Sequence, residues 1–144
     1  TEPDGDQLYY AQLLADLEVD VVLGSHPHVI GPLAWVEGST GHKTLVAYSL
    51  GNFLSNHEYP LPENELGGML SCDFVKTVSG IAIENIVWTP LVNHTSADMR
   101  AVFAVKDYTP ELAAEHQFLG GLADPIAWFK LTSKQIVGDF TIDS

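Results

Sequence analysis

Basic residues are scarce in this chain. Lys and Arg number 6 against 19 Asp plus Glu, a formal net charge of −13 over 144 residues. Nucleic-acid binding depends on basic side chains that neutralise phosphates, so this balance argues against it. An anionic substrate would be repelled by the bare chain and would need a bound cation to attract it. There is one cysteine, Cys72; it excludes an intrachain disulfide and says little about compartment. No apolar run is long enough to span a bilayer, and the basic start and apolar core of a signal peptide are missing. Asp-x-His, His-Glu-x-x-His, Cys-x-x-Cys and Gly-x-Ser-x-Gly do not occur, nor does a glycine loop that would cradle phosphate. The chain opens Thr1-Glu2-Pro3 without an initiating Met, as expected of a processed product or a piece of a longer protein.

What is present suffices for one domain with a real core: hydrophobic residues make up 46%, which argues against general disorder. Asp4-Gly5-Asp6 offers helix caps before Leu8, Ala11, Leu14 or Ala15, and Leu17 at helical spacing. Val21-Val22-Leu23 reads as a buried strand. Residues 32–36 and 44–48 read as a hairpin around the turn at 37–43. Residues 56–66 form a polar, proline-broken loop, the best candidate for a functional segment. A second hairpin is expected over 68–78 and 81–89, turning at Ser79-Gly80 and ended by Pro90, followed by a strand over 100–106. Thr109-Pro110-Glu111 starts a helix that Gly120-Gly121 stops, and Asp124-Pro125 starts another that ends at about Val137 before Gly138. The order predicts a mixed α/β or α+β layered structure.

The chemistry concentrates in Val21-Val-Leu-Gly-Ser-His-Pro-His-Val29. Pro27 biases His26 toward extended backbone, and side chains at i and i+2 of an extended segment share a side. His26 and His28 are therefore expected to project together from a strand mouth, as two metal ligands or as a ligand and a base. Imidazole suits Zn, Fe, Mn, Ni or Cu. A lone His-x-His is ordinarily structural or solvated, and two histidines do not complete a site that takes three or more protein ligands. His57 and Glu58 lie in the polar loop, and His94 follows the strand expected to end at Pro90. His42 is read as a solvated turn residue and His116 as a surface residue on a helix. Asn52, after Gly51 at a strand exit, reads as a turn residue tolerating positive φ, the alternative being a side-chain carbonyl aimed at a metal or substrate oxygen. Ser25 beside His26 has no nucleophile elbow and no assignable acid. Cys72 is read as an inert core thiol, and Trp35, Trp88 and Trp128 as core residues.

The strand mouth just described, followed about twenty residues later by Val46-Ala-Tyr-Ser-Leu-Gly-Asn-Phe53, resembles the CapA/PgsA-type capsule (poly-γ-glutamate) biosynthesis proteins of the calcineurin-like metallophosphoesterase superfamily. The resemblance covers residues 3 to 90. It implies an α/β fold, the C-terminal half of a layered β-sandwich flanked by helices, with residues 1–144 as one domain portion. It implies that His26 and His28 are ligands in a two-metal site of divalent ions, with Asn52 nearby. The superfamily's early Asp-x-His, Gly-Asp and Gly-Asn-His motifs are absent, so the remaining ligands are expected upstream of Thr1 and the isolated piece is expected to be inactive. The resemblance further implies a parent protein at the cell surface or outside it, membrane-anchored through a part not in this chain. That parent would work with other capsule-synthesis components, either in metal-dependent hydrolysis of a phosphoester or related bond, or as a non-catalytic assembly or export component. A half-domain is also expected to expose a sheet edge and to self-associate.

Overall fold

The computed structural model describes residues 2–56 and 61–144. Helix α1 (Gly5–Asp16) starts where the cap residues require. The Asp4 carboxylate accepts from the Gln7 amide at 2.8 Å, and the Gln7 side chain accepts from the Asp4 amide at 2.9 Å, a complete capping box. Strands β1 (Val21–Leu23), β2 (Leu33–Glu37) and β3 (Lys43–Ala47) form the first sheet in the order β1-β3-β2. β1 runs parallel and β2 antiparallel to the central β3. α1 covers one face of this sheet through Ala11, against Val46 and Tyr48. The helix face differs from the expected one: Ala11 and Ala15 are buried, whereas Leu8 and Leu17 are exposed.

The second sheet is built on a long hairpin, β4 (Leu66–Thr77) and β5 (Gly80–Thr95). The other edge of β5 carries β6 (Arg100–Ala104) along residues 91–95 and β7 (Thr141–Ile142) along residues 87–88. Pro90 does not end β5. It sits in register opposite Gly68, and the strand continues to Thr95. Trp88 of β5 is fully buried, and its indole lies over Gly68, where a Cβ would stand 1.8 Å from the ring. Glycine at this position is a packing requirement.

β6 stops at Ala104, and Val105–Asp107 form a 3-10 turn instead of the expected strand end. Helix α2 (Pro110–Glu115) is capped by Thr109 as expected but stops at His116, short of Gly120-Gly121. Tertiary contacts of His116 draw the chain inward there. Helix α3 (Pro125–Val137) matches its signals: Asp124 accepts from the Ala127 amide at 2.9 Å, and Gly138 closes the helix at φ 78°. The main core holds Ile30, Leu33, Leu66, Val92, Phe129 and Val137 between the sheets and the C-terminal helices. The two sheets and flanking helices make an α/β structure, as the sequence predicts. Among the described residues, no helix is long and apolar enough to cross a membrane.

Candidate metal centre

β1 ends at Leu23, and Gly24 hands the chain to the histidine turn. Its amide donates to the Ala47 carbonyl at 2.7 Å, and a Cβ on Gly24 would lie 2.1 Å from the Tyr48 carbonyl oxygen. Only glycine allows this approach of β1 to β3. Beyond it the backbone is not extended, contrary to expectation. His26 has φ 97° and His28 has φ 61°, left-handed conformations that cost about 1–3 kcal/mol each for residues bearing a side chain. The imidazoles meet nonetheless, with ring centroids 5.9 Å apart and planes at 51°. They are brought together by a tight turn and not by the pleat of a strand.

The turn is held by two asparagines. The Asn52 carboxamide nitrogen donates to the carbonyls of His28 (3.3 Å) and Asn64 (2.8 Å). The Asn64 side chain donates to the same His28 carbonyl at 3.1 Å and accepts from the Leu61 amide at 2.9 Å. With its NH2 group committed to carbonyls, Asn52 presents its oxygen to His28 Nδ1 at 2.8 Å. That oxygen can only accept, so Nδ1 carries the proton and the neutral ring's lone pair sits on Nε2. A histidine that binds metal through Nε2 is oriented in this way by its other nitrogen. The positive φ that the sequence suggests for Asn52 belongs to Gly51, at 68°. Asn52 itself is buried.

The pair fits a divalent cation as a partial ligand set. With metal–nitrogen bonds of about 2.0–2.1 Å, two imidazoles sharing one tetrahedral ion have centroids about 5–6 Å apart. Among the described residues, no group of three or more His, Cys, Asp or Glu side chains could hold a metal. His57 and Glu58 lie outside the described residues.

A second polar cluster lies deeper, and no sequence pattern announced it. Glu65 is buried and adjacent in sequence to Asn64. Its carboxyl accepts from Asn93 Nδ2 at 3.0 Å. Asn93 also binds Ser55, accepting from its amide and donating to its carbonyl, each at 3.3 Å. One β5 side chain thus links Ser55 to Glu65, the last residue of a 3-10 turn over Pro62–Glu65. His116, expected on the surface, is buried. Its Nδ1 accepts from the Phe118 amide at 3.2 Å, so Nε2 carries the hydrogen and donates to the Asn93 carbonyl at 3.1 Å. The same nitrogen lies 3.6 Å from Glu65 Oε2.

Burial pushes the Glu65 carboxyl up to about 7, against the opposing pull of Asn93 and Arg100. Burial also brings the His116 imidazole down to about 4. Near pH 6 this is a neutral pair and not a salt bridge. His94 is a fully buried residue of β5, and its Nδ1 lies 2.6 Å from the Tyr108 hydroxyl, which donates to the Leu112 carbonyl at 3.3 Å. Burial lowers the His94 imidazole and raises the Tyr108 phenol. The only legible hint was the polar run Asn93-His94-Thr95 extending an apolar strand.

The other sequence candidates separate. His42 is half-buried 3.5 Å from Asp20 Oδ1, not fully solvated. Cys72 is half-buried on β4. Trp88 is core and Trp128 packs against it, whereas Trp35 is exposed.

An α/β scaffold with a glycine-delivered histidine pair at a strand mouth is the setting in which the comparisons fall. Residues 1–57, which contain both motifs, match the family model described as bacterial capsule synthesis protein PGA_cap. The PGA biosynthesis protein CapA of Bacillus subtilis (strain 168) is 36% identical over 53 residues, 37% of this chain. The chain spans 13% of the length of that curated relative. The family match stops at residue 57, short of the expected 90. No solved structure matches.

Proposed function

We propose that this chain is part of a bacterial poly-γ-glutamate capsule-biosynthesis protein whose His26–Pro27–His28 turn holds a divalent cation for hydrolysis of a phosphoester or related bond. The observation that carries the reading is the Asn52 oxygen on His28 Nδ1, which directs Nε2 to the role of ligand. When bound, the cation would act as a Lewis acid and make a water nucleophilic at neutral pH. The chain's own residues hold the ligand nitrogens: Asn52 sets the His28 tautomer and Asn64 pins its backbone. In a chain of net charge −13, a cation would also supply the positive potential an anionic substrate needs. Two such ions, with further ligands from polypeptide beyond these residues, would complete the centre. The protein would act at the cell surface, membrane-associated, with other capsule-synthesis components.

The test is zinc and manganese content of the longer protein, with and without His26→Ala and His28→Ala. Loss of bound metal in both variants is expected; unchanged content in both would sink the reading. Purified residues 1–144 should show little phosphoesterase turnover, and appreciable metal-dependent turnover would contradict the incomplete-site reading. A non-catalytic assembly role is the second reading, favoured by the exposed apolar residues Leu8, Tyr9 and Tyr10 on α1. Bound metal without turnover in the longer protein would select it.

A further inference from the structure

Asn64 and Glu65 are neighbours in sequence with different duties. Asn64 grips the histidine turn: its side chain donates to the His28 carbonyl at 3.1 Å, and its own carbonyl accepts from Asn52 Nδ2 at 2.8 Å. Glu65 is buried, and its carboxyl accepts from Asn93 of β5. A single peptide unit therefore joins the grip on His28 to an interior acid. The joint is tight. The Gly68 amide donates to the Leu50 carbonyl at 2.9 Å, and Gly51 bridges Gly67, so the strand that starts after Glu65 is stitched to the segment leading into Asn52. A Cβ on Gly67 would lie 1.9 Å from the Asn52 carbonyl oxygen. Close packing of this kind transmits a displacement and does not absorb it.

The site suits a neutral carboxyl better than a carboxylate. The Asn93 Nδ2 group that donates to Glu65 at 3.0 Å also serves the Ser55 carbonyl at 3.3 Å. A buried carboxylate is stabilised by about two or three such donors. Another donor stands close by: His116 Nε2–H is 3.6 Å from Glu65 Oε2 but donates to the Asn93 carbonyl at 3.1 Å. The remaining groups around the cluster do little to replace it. Arg100, at the head of β6, is exposed and attracts the carboxylate through space. The Tyr108 phenol is buried and neutral, and the His94 ring stands edge-on to His116 at 5.2 Å. Glu115, whose charge is felt by both His94 and Tyr108, adds a further negative charge to the surroundings. Charge-assisted N–H···O bonds settle at about 2.7–2.9 Å. An ionised Glu65 would therefore draw Oε2 about 0.8 Å toward His116, and Asn64 with it.

We propose that Glu65 is a positioning residue for the histidine turn, and that its proton switches the grip on the His28 carbonyl between firm, when the carboxyl is neutral, and slack, when it is ionised. Burial, which pushes the Glu65 carboxyl up to about 7, puts the change near neutrality. Burial also brings His116 down to about 4, so its imidazole is neutral on both sides of the switch. As control over metal binding the switch rests on the metal reading given above. As a coupling of Glu65 to His28 it stands without metal.

The test uses the 144-residue chain without metal, labelled with carbon-13 and nitrogen-15. The Glu65 carboxyl, the His28 backbone carbonyl and the imidazole nitrogens of His26 and His28 are followed by NMR over about pH 5 to 9. The His28 carbonyl is expected to move upfield with the same midpoint as the Glu65 carboxyl. Glu65→Gln keeps an acceptor for Asn93 and should abolish that step, leaving only steps that track the two imidazoles. In Asn64→Ala the Glu65 carboxyl should still titrate, but the step at His28 should shrink at least twofold. A purely structural role for Glu65 gives no such step. Amide exchange in β5 checks that both variants fold. A His28 carbonyl that does not follow Glu65 in the wild type would overturn the proposal. So would a step at the same midpoint in folded Glu65→Gln, or one of full size in folded Asn64→Ala. The two readings fail separately: the metal reading on the metal content of the longer protein, this one on the titration.

Discussion

The Asn52 side-chain oxygen lies 2.8 Å from His28 Nδ1 while the amide nitrogen of the same side chain holds the His28 carbonyl. One residue therefore sets both the tautomer of the imidazole and the left-handed backbone that presents it. Asn52→Ala should shift the His28 tautomer equilibrium away from the Nδ1–H form, read from nitrogen chemical shifts of the neutral ring. If the turn binds zinc, affinity should fall about 10- to 100-fold, measured by competition with a chromophoric chelator. An unchanged tautomer in the variant would show that Asn52 does not direct it.

The neutral Glu65–His116 pair makes opposing contributions to stability. Glu65 has its carboxyl pushed up to about 7 in the fold. Its protonated form is favoured there, so its contribution is complete below the ordinary carboxylate range and is lost as pH rises through about 7. His116 is brought down to about 4. Its contribution is complete above the ordinary imidazole value and is lost as pH falls through about 4. The two slopes cancel through the mildly acidic range. Glu65→Gln should unmask the histidine term, so that stability rises from pH 4 to 6.5 by about 2–3 kcal/mol relative to wild type. His116→Gln should unmask the opposite slope, falling between pH 4.5 and 7. Urea denaturation at several pH values checks both, and parallel curves for all three proteins would refute the assignment.

Gly68→Ala should destabilise by at least ~2 kcal/mol, because its Cβ would meet the buried Trp88 ring and neither strand of the hairpin can move freely. Gly120→Ala, where a Cβ meets nothing within 4 Å, should change stability by no more than about 0.5 kcal/mol. Thermal melts of the two variants side by side separate packing from a general glycine effect.

Asp4→Ala should cost about 1 kcal/mol through loss of the capping box with Gln7. Fraying should be confined to the first turn of α1, seen as faster amide exchange there with β3 unchanged.

Elements with local chemical signals were legible. The Asp4 cap, the Thr109-Pro110 and Asp124-Pro125 starts and the Gly138 stop act within a few residues, and they lie where the sequence placed them. Pro90 misled because its missing N–H costs no ladder bond: Gly68 opposite it donates to the Leu50 carbonyl, and on the other edge of β5 the strands β6 and β7 pair only residues 91–95 and 87–88, a fact that depends on pairing. The end of α2 misled because His116 turns into the core to meet Asn93, a contact across 23 positions.

The sequence by itself determined the α/β pattern, the acidic charge, the likeness of residues 1–57 to the capsule-synthesis family model and the closeness of His26 to His28, since each is written in composition or in residues a few places apart. Only the tertiary structure decided how that closeness is achieved. Both histidines have left-handed backbone, and that of His28 is held at its carbonyl by Asn52 and Asn64, which arrive from another part of the chain. It alone decided that Glu65, Asn93 and His116 share a dry interior, because burial, and with it the cost of charge, is a property of packing and not of neighbours in sequence.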